Sequence, residues 1–506
     1  MGLNALDLTI VVLYLIGITL FGLRFRRSDK SLKSYFLADR SVPWWAIALS
    51  IVSAETSTLT IISIPGLAYD TNFSFLQIVF GYLVARIIIS VIFLPAYFKG
   101  ELFTAYQLID RRFGKALHKY TAGIFLVTRA IAEGVRVFAI SIVVNIALEK
   151  YLLHFMSAQT STVASIAIVT VLTLIYTFEG GMTAVIWTDV VQMMIYISGT
   201  IIGFFVLLHL VPGGWHAIQS TAAAAGKFRV FDFHPSLTVT YNFWAGLIGG
   251  TFLTMASHGT DQLMVQRLLA ARSQRDSTTA LLGSGVAILF QFSLFLLVGA
   301  ALWVYYGQNP PAEPFLRSDR IFPMFIVSKM PSGVSGLLIA AILAAAMSNL
   351  SAALNSLSST TIIDFYLRLK PQASENERIR VSRAATIFWG IVLFALALVT
   401  QFGGRRVLEL GLSIASVPYG GLLGVFLLGV LTKRANQTGA IVGLTVGLLL
   451  NLFLWKAPAY GWMHTTIAWT WYVTIGTTVT FVVGYLASLL MSTPQSDSVA
   501  RKTIDA

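Results

Sequence analysis

The chain of 506 residues contains no cysteine, which excludes disulfides and thiolate metal sites. Charge is scarce too. Only 11% of the residues are Asp, Glu, Lys or Arg, against about 25% in soluble domains. The deficit runs along the whole length, so a soluble globular fold is excluded and a polytopic membrane protein is indicated. No basic stretch precedes the first apolar run and no small-residue cleavage site follows it, so no cleavable signal is expected. Walker A, HExxH and phosphorylation-type ATPase motifs are missing as well. The chain is therefore not read as an enzyme or an ATP-driven pump.

What is present is apolar sequence: 56% hydrophobic residues and a mean hydropathy of +0.76. A spanning helix needs ~20 mostly apolar residues. Thirteen segments qualify, near 5–23, 43–69, 73–98, 119–147, 161–178, 183–208, 243–266, 279–306, 333–365, 384–401, 407–431, 438–456 and 468–490. With the N-terminus outside, the inner loops hold 23 of the 35 Lys and Arg residues and the outer segments 9. The other three, Arg86, Arg129 and Arg136, fall inside spans. The positive-inside rule then predicts N-out, C-in. The net charge of +13 is a topology signal, and no nucleic-acid partner is expected. The loops 209–242 and 307–332 are too short to be domains. One transmembrane domain, 1–490, is expected, with a polar tail at 491–506.

Polar residues inside spans are expensive, ~2.5–3.5 kcal/mol for a charge at mid-bilayer, and four groups of them stand out. The first is "SAETSTLT", where Glu55 sits among Ser53, Thr56, Ser57, Thr58 and Thr60. One reading is a broken helix lining a binding site, since hydroxyls and water can satisfy freed backbone groups. In the other, the hydroxyls bond back to their own helix and Glu55 pairs with a distant arginine. The second group is "AAAMSNLSAALNSLSSTTIIDFY", Ala344–Tyr366, in which Ala345, Ser348 and Asn349 share a helix face and Ser351, Ala352 and Asn355 extend it. Close helix packing on small residues explains this stripe, and so does an oxygen-lined Na⁺ site. The third is "GGMTAVIWTDVVQ", a Gly-Gly turn at 180–181 that leads into a helix carrying Thr188, Asp189 and Gln192. Asp189 is either a cation or proton carrier or an interfacial acid. The fourth places Arg129, Glu133 and Arg136 on one face, with Glu133 neutralising one arginine. An arginine left in a cavity suits a carboxylate. It equally suits a structural pairing with Glu55. His258 follows Ser257 in a Gly-rich span, where a lone histidine is more often a packing residue than a metal ligand.

Together with "GTDQLMVQRLLAAR", these stretches resemble the sodium/solute symporter family, which includes sodium–glucose, sodium–proline and sialic acid transporters. The resemblance runs from about residue 4 to 490. It implies a LeuT-like fold of two inverted five-helix repeats, here about 43–208 and 243–401. The flanking helices are then 5–23, 407–431, 438–456 and 468–490, and the first helix of each repeat is discontinuous. It implies a sodium site built from the carbonyls of Ser53 and Thr56, the carbonyl of Ala345, and the side chains of Ser348 and Asn349. Asn349 stands where the family usually has a serine. A second sodium would use Asp189, Ser348 and Ser351, but the next hydroxyl of that set is replaced by Ala352.

On the substrate side, the resemblance points to Glu55, Ser57, Thr60, Gln77, Arg136, Ser257, His258 and Gln291. The sugar-transporting pattern is weakened. Its Tyr-Trp pair is Ser257-His258 here, its glutamine falls near Leu412, and its intramembrane lysine has no counterpart. The sialic acid pattern keeps Ser57, Thr60 and Arg136. The expectation is a Na⁺-coupled symporter of a small organic solute, sited in the cytoplasmic membrane of a bacterium. The alternative is proton coupling through Glu55 or Asp189. A signalling sensor and a channel rank behind both.

Overall fold

The computed structural model describes residues 2–24, 38–99, 105–176, 182–311, 314–402 and 406–491. The Gly-Gly turn at 180–181 and the tail from 492 lie outside the described residues. Among the described residues there are helices and no strand, only one isolated bridge between Val42 and Ala271.

The long helices are α1 (Ala5–Leu23), α2 (Trp44–Glu55), α3 (Thr58–Asp70), α4 (Leu76–Phe98), α5 (Lys115–Phe155), α6 (Ala158–Tyr176) and α7 (Met182–Leu210). They continue as α8 (Gly250–Gly259), α9 (Gln262–Leu269), α10 (Gln274–Gln308), α11 (Val334–Thr360), α12 (Glu375–Thr400), α13 (Val407–Leu431), α14 (Gln437–Lys456) and α15 (Tyr472–Leu490). Shorter helices at Ala105–Phe113, Gly214–Ala224 and Ile321–Lys329 connect them.

Among the described residues, eleven helices are long and apolar enough to cross a membrane, or twelve if α2 and α3, bent by 66°, count as one span. Thirteen segments were expected. The difference is 243–266, which the structure divides into a π-helical turn at Ala245–Gly249, the ten residues of α8 and the eight of α9. No single piece of it has spanning length.

Both breaks have a local cause. At the first, Thr56 leaves helical geometry (φ −82°, ψ 81°) and Ser57 is extended (ψ 170°). The Ser57 N–H turns to the Glu55 carbonyl at 3.1 Å. The carbonyls of Ser53 and Thr56 are thereby left without a backbone donor. At the second, Asp261 caps α9 by accepting the Leu263 N–H at 2.9 Å.

The core wraps these breaks. α10 packs against both α2 and α3 and also against α4, while α11 packs against α1, α5 and α7. The last three helices, α13, α14 and α15, pack tightly on one another, and α13 also packs against α5 and α8. There Gly443 faces the Thr480 carbonyl and Gly447 faces the Thr480 hydroxyl so closely that a Cβ on either would collide with it. Small residues are what let helix backbones approach this far.

At one end of the bundle the start of α13 is tied down. Arg406 donates to Asp70, at the end of α3, from Nε (3.1 Å) and Nη2 (2.9 Å), and to Glu409 from Nη1 (3.3 Å). The Tyr241 hydroxyl donates to Glu409 at 2.7 Å. Buried Asp319 accepts the Ser63 hydroxyl at 2.5 Å and the Val407 N–H at 3.1 Å.

Candidate functional site

A cavity of about 190 Å³ lies where the two breaks meet. Glu55, Ser57 and Thr60 line it from the first break, and Ser257, His258 and Asp261 from the second. α5 contributes Arg129 and Arg136, α11 contributes Asn349 and Ala352, and α13 contributes Leu412 and Tyr419. Glu55 and Tyr419, 364 positions apart in sequence, thus share one cavity.

The ion pairs differ from one of the arrangements open at the sequence level. Glu55 does not pair with Arg136. Its Oε2 accepts from Arg86 Nη2 at 2.5 Å and lies 3.3 Å from His258 Nε2. Arg86 is fully buried and spends its other nitrogens inside the protein, Nε on Ser284 Oγ (3.1 Å) and Nη1 on the Tyr82 carbonyl (3.2 Å). Arg136 instead donates to Glu133 Oε1 at 2.8 Å, the oxygen that Arg129 Nε also meets at 2.9 Å. Arg129 reaches across to Asp261 at 3.5 Å, so the positive excess read along α5 is partly met from the second break. Arg136 remains 30% exposed, while Glu133 is fully buried.

The other candidates separate. Gln77 is fully buried away from the cavity. Its amide donates to the carbonyls of Ser74 (3.1 Å) and Tyr241 (3.2 Å) and accepts the Asp232 N–H (3.0 Å). It fastens the 230–241 segment and is not placed to meet a solute. Gln291 stands behind the first break, where its Nε2 donates to Thr56 Oγ1 at 2.5 Å.

Asp189 is buried and engaged. It accepts from Ser50 Oγ (2.6 Å) and from Arg267 Nη2 (3.0 Å). Arg267 Nε also donates to Ser50 Oγ at 3.0 Å. Ala345 and Ser351 are buried on α11, Ser348 is half-buried, and Asn349 reaches the cavity. Ser53 and Thr56 are buried at the break, whose two halves both contact α11.

The sequence marks Arg86 as intramembrane without naming a partner, counts Arg267 with the inner loops, and assigns no site role to Asp261, Arg267 or Tyr419. Asp261 and Arg267 sit in "GTDQLMVQRLLAAR", so a charge count of that span was the available signal.

The sequence model of the sodium:solute symporter family matches residues 35–447. The chain belongs to the sodium:solute symporter family. It is 30% identical over 491 residues to the sodium/sialic acid symporter SiaT of Proteus mirabilis, covering 95% of this chain and 94% of that one. It is 29% identical over 493 residues to the sodium/sialic acid symporter NanT of Aliivibrio fischeri, covering 96% and 94%. A solved Na⁺-coupled sialic acid symporter in a substrate-bound outward-open state superposes with a TM-score of 0.81 at 28% identity, over 97% of this chain and 98% of that one. The LeuT-like fold implied by the resemblance is the fold of this symporter. It is a multi-pass membrane transporter that couples a solute to sodium, and it is not an enzyme.

Proposed function

We propose that this symporter imports a small organic anion bearing a carboxylate, with sialic acid as the first candidate. The observation that carries this reading is Arg136. It stands on the cavity wall with Ser57 and Thr60, and its one ion partner, Glu133, is shared with Arg129. A guanidinium with an accessible edge can take a carboxylate through two parallel bonds. The sialic acid symporters similar to this chain carry a substrate of that chemistry.

Sodium is held, in this reading, by the carbonyls of Ser53 and Thr56, the Ala345 carbonyl, Ser348 and Asn349. The free carbonyls at the break support it, because Na⁺ is a hard cation suited to oxygen ligands. The remaining architecture is proposed as thirteen spans in two inverted repeats, about 43–208 and 243–401. The chain then lies N-out and C-in in the inner membrane of a bacterium. Proton coupling through Glu55 or Asp189 is not favoured, since both carboxylates are held by arginines.

A second reading keeps the anion and shrinks it. The cavity volume of about 190 Å³ is below the ~300–1,000 Å³ of sites for drug-sized ligands, which favours a short carboxylic acid. Thermal stability of the purified protein in NaCl or choline chloride, with N-acetylneuraminate, lactate or glucose added, separates the readings. Stabilisation by a carboxylate only in NaCl, and lost in Arg136→Gln, is expected. Stabilisation by glucose alone would end the anion reading.

A further inference from the structure

We infer that Glu55 and Ser257 form a second recognition pole, which reads hydrogen-bond donors on the solute, and that buried Arg86 is its positioning residue. The inference rests on the reading of the cavity as the solute site and names what the site demands beyond a carboxylate.

The direction of the hydrogen bonds carries the argument. Arg86 uses Nε, Nη1 and Nη2 on Ser284, Tyr82 and Glu55. It therefore fixes the Glu55 carboxylate and offsets its charge without touching the cavity. His258 Nε2 sits 3.3 Å from the same Glu55 oxygen and has no hydrogen-bond partner of its own. A bare ring nitrogen facing a carboxylate would be repelled, so Nε2 is the ring nitrogen that carries a proton towards Glu55. In the tautomer with its hydrogen on Nε2, His258 Nδ1 is an acceptor, and the Ser257 hydroxyl at 2.9 Å is its donor. The alternative acceptor for that hydroxyl, the Thr254 carbonyl, is at 3.5 Å, at the limit of a hydrogen bond.

The Ser257 hydroxyl hydrogen and the His258 Nε2 hydrogen both point along this line towards Glu55 and Arg86. What remains toward the cavity is Glu55 Oε1, which has no partner among the described residues, and the lone pairs of Ser257 Oγ. Both are acceptors. Because Arg86 offsets the carboxylate, the pole does not call for a cation as Asp or Glu alone would. It calls for O–H or N–H groups. With Arg136 on the α5 wall, the site selects a carboxylate that also bears donors, and it penalises one that would leave the two acceptors dry. The donors come from hydroxyls or from an ammonium group, and the probes below distinguish these sources.

The test uses full-length protein in detergent with saturating NaCl. Affinities are measured for N-acetylneuraminate and glycerate, which carry hydroxyls, for 3-aminopropionate, which carries an ammonium, and for propionate, which carries no donor beyond its carboxyl. Wild type is expected to prefer a donor-bearing acid over propionate by about tenfold or more, the effect of one hydrogen bond to a charged group. The better of the hydroxylated and ammonium probes identifies the donor. Glu55→Gln and the charge-balanced pair Glu55→Gln with Arg86→Met should bring that ratio towards one. The pair guards against misfolding of Arg86→Met alone, which would strand a buried carboxylate. A wild type that ranks propionate equal to the donor-bearing acids overturns the inference, as do variants that keep the wild-type ratio. A wild type that binds none of the four acids overturns the anion reading and this inference together.

Discussion

Arg267 and Asp189 stand 3.0 Å apart in the core, and the Ser50 hydroxyl is bonded to both. Arg267 also donates Nη1 to the Leu263 carbonyl at 2.7 Å. The contact joins α2, α7 and α9, and it puts a guanidinium where a second sodium would need the carboxylate free. Asp189→Asn is expected to destabilise the protein by roughly 3–5 kcal/mol, the cost of stranding a buried charge. The Hill coefficient of Na⁺-dependent uptake should not change. The double substitution Asp189→Asn with Arg267→Gln should recover part of the stability. A lower Hill coefficient in a fully stable Asp189→Asn protein would instead assign the carboxylate to sodium.

Arg136 is predicted to act through its planar fork as well as its charge. Arg136→Lys should reduce carboxylate affinity about tenfold, and Arg136→Gln further, because an ammonium cannot match the bidentate geometry. Sodium-dependent stabilisation should survive in both, since Arg136 is not proposed as a sodium ligand. Equal loss of sodium and anion effects would point to a structural role beside Glu133.

Ser348→Ala should weaken sodium. Ligand stabilisation follows the ratio of free sodium to its dissociation constant. A tenfold weaker site therefore loses about 1.4 kcal/mol at saturating salt. Melting curves across a NaCl series, balanced with choline chloride, measure it directly. An unchanged series would remove Ser348 from the site.

How much of this was legible in sequence depends on what the signal was. The first break could be read because hydroxyls and an acid interrupt an apolar run, and those residues do terminate α2. The membrane class followed from composition, and the fold was implied by the family resemblance that the motifs carry. Pairings could not be read. Glu55 has intramembrane arginines on α4 and α5 to choose from, and only the relative rotation of those helices sends it to Arg86. Gln77 looked like a solute ligand by position, yet Gly246 lets the π-helical turn lie against the Gln77 backbone, and the side chain turns to the 230–241 loop. Asp189 had the right composition for a sodium ligand. Its arginine lies 78 residues away, on a helix that periodicity alone does not orient.

The absence of cysteine makes the Arg406 tie testable by labelling. A cysteine introduced at Leu412, on the cavity wall, should react with a water-soluble thiol reagent at a rate set by access to the cavity. Arg406→Gln frees Asp70 and Glu409 and loosens the start of α13. Arg406 and Asp70 are 24% and 37% exposed, so their pair contributes at most about 1 kcal/mol. The labelling rate should rise by about fivefold or less, and less again in high salt. A rate that does not depend on residue 406 would show that the tie does not control access.

The glycine seam between α14 and α15 bears on how the sequence is free to vary. Side chains such as Ser57 and Thr60 on the cavity wall face free volume. Gly443 and Gly447 have no such latitude, because even a methyl group would drive against Thr480. In a saturation mutagenesis screen scored on surface expression, Gly443 and Gly447 should therefore rank among the intolerant positions although neither lines the cavity.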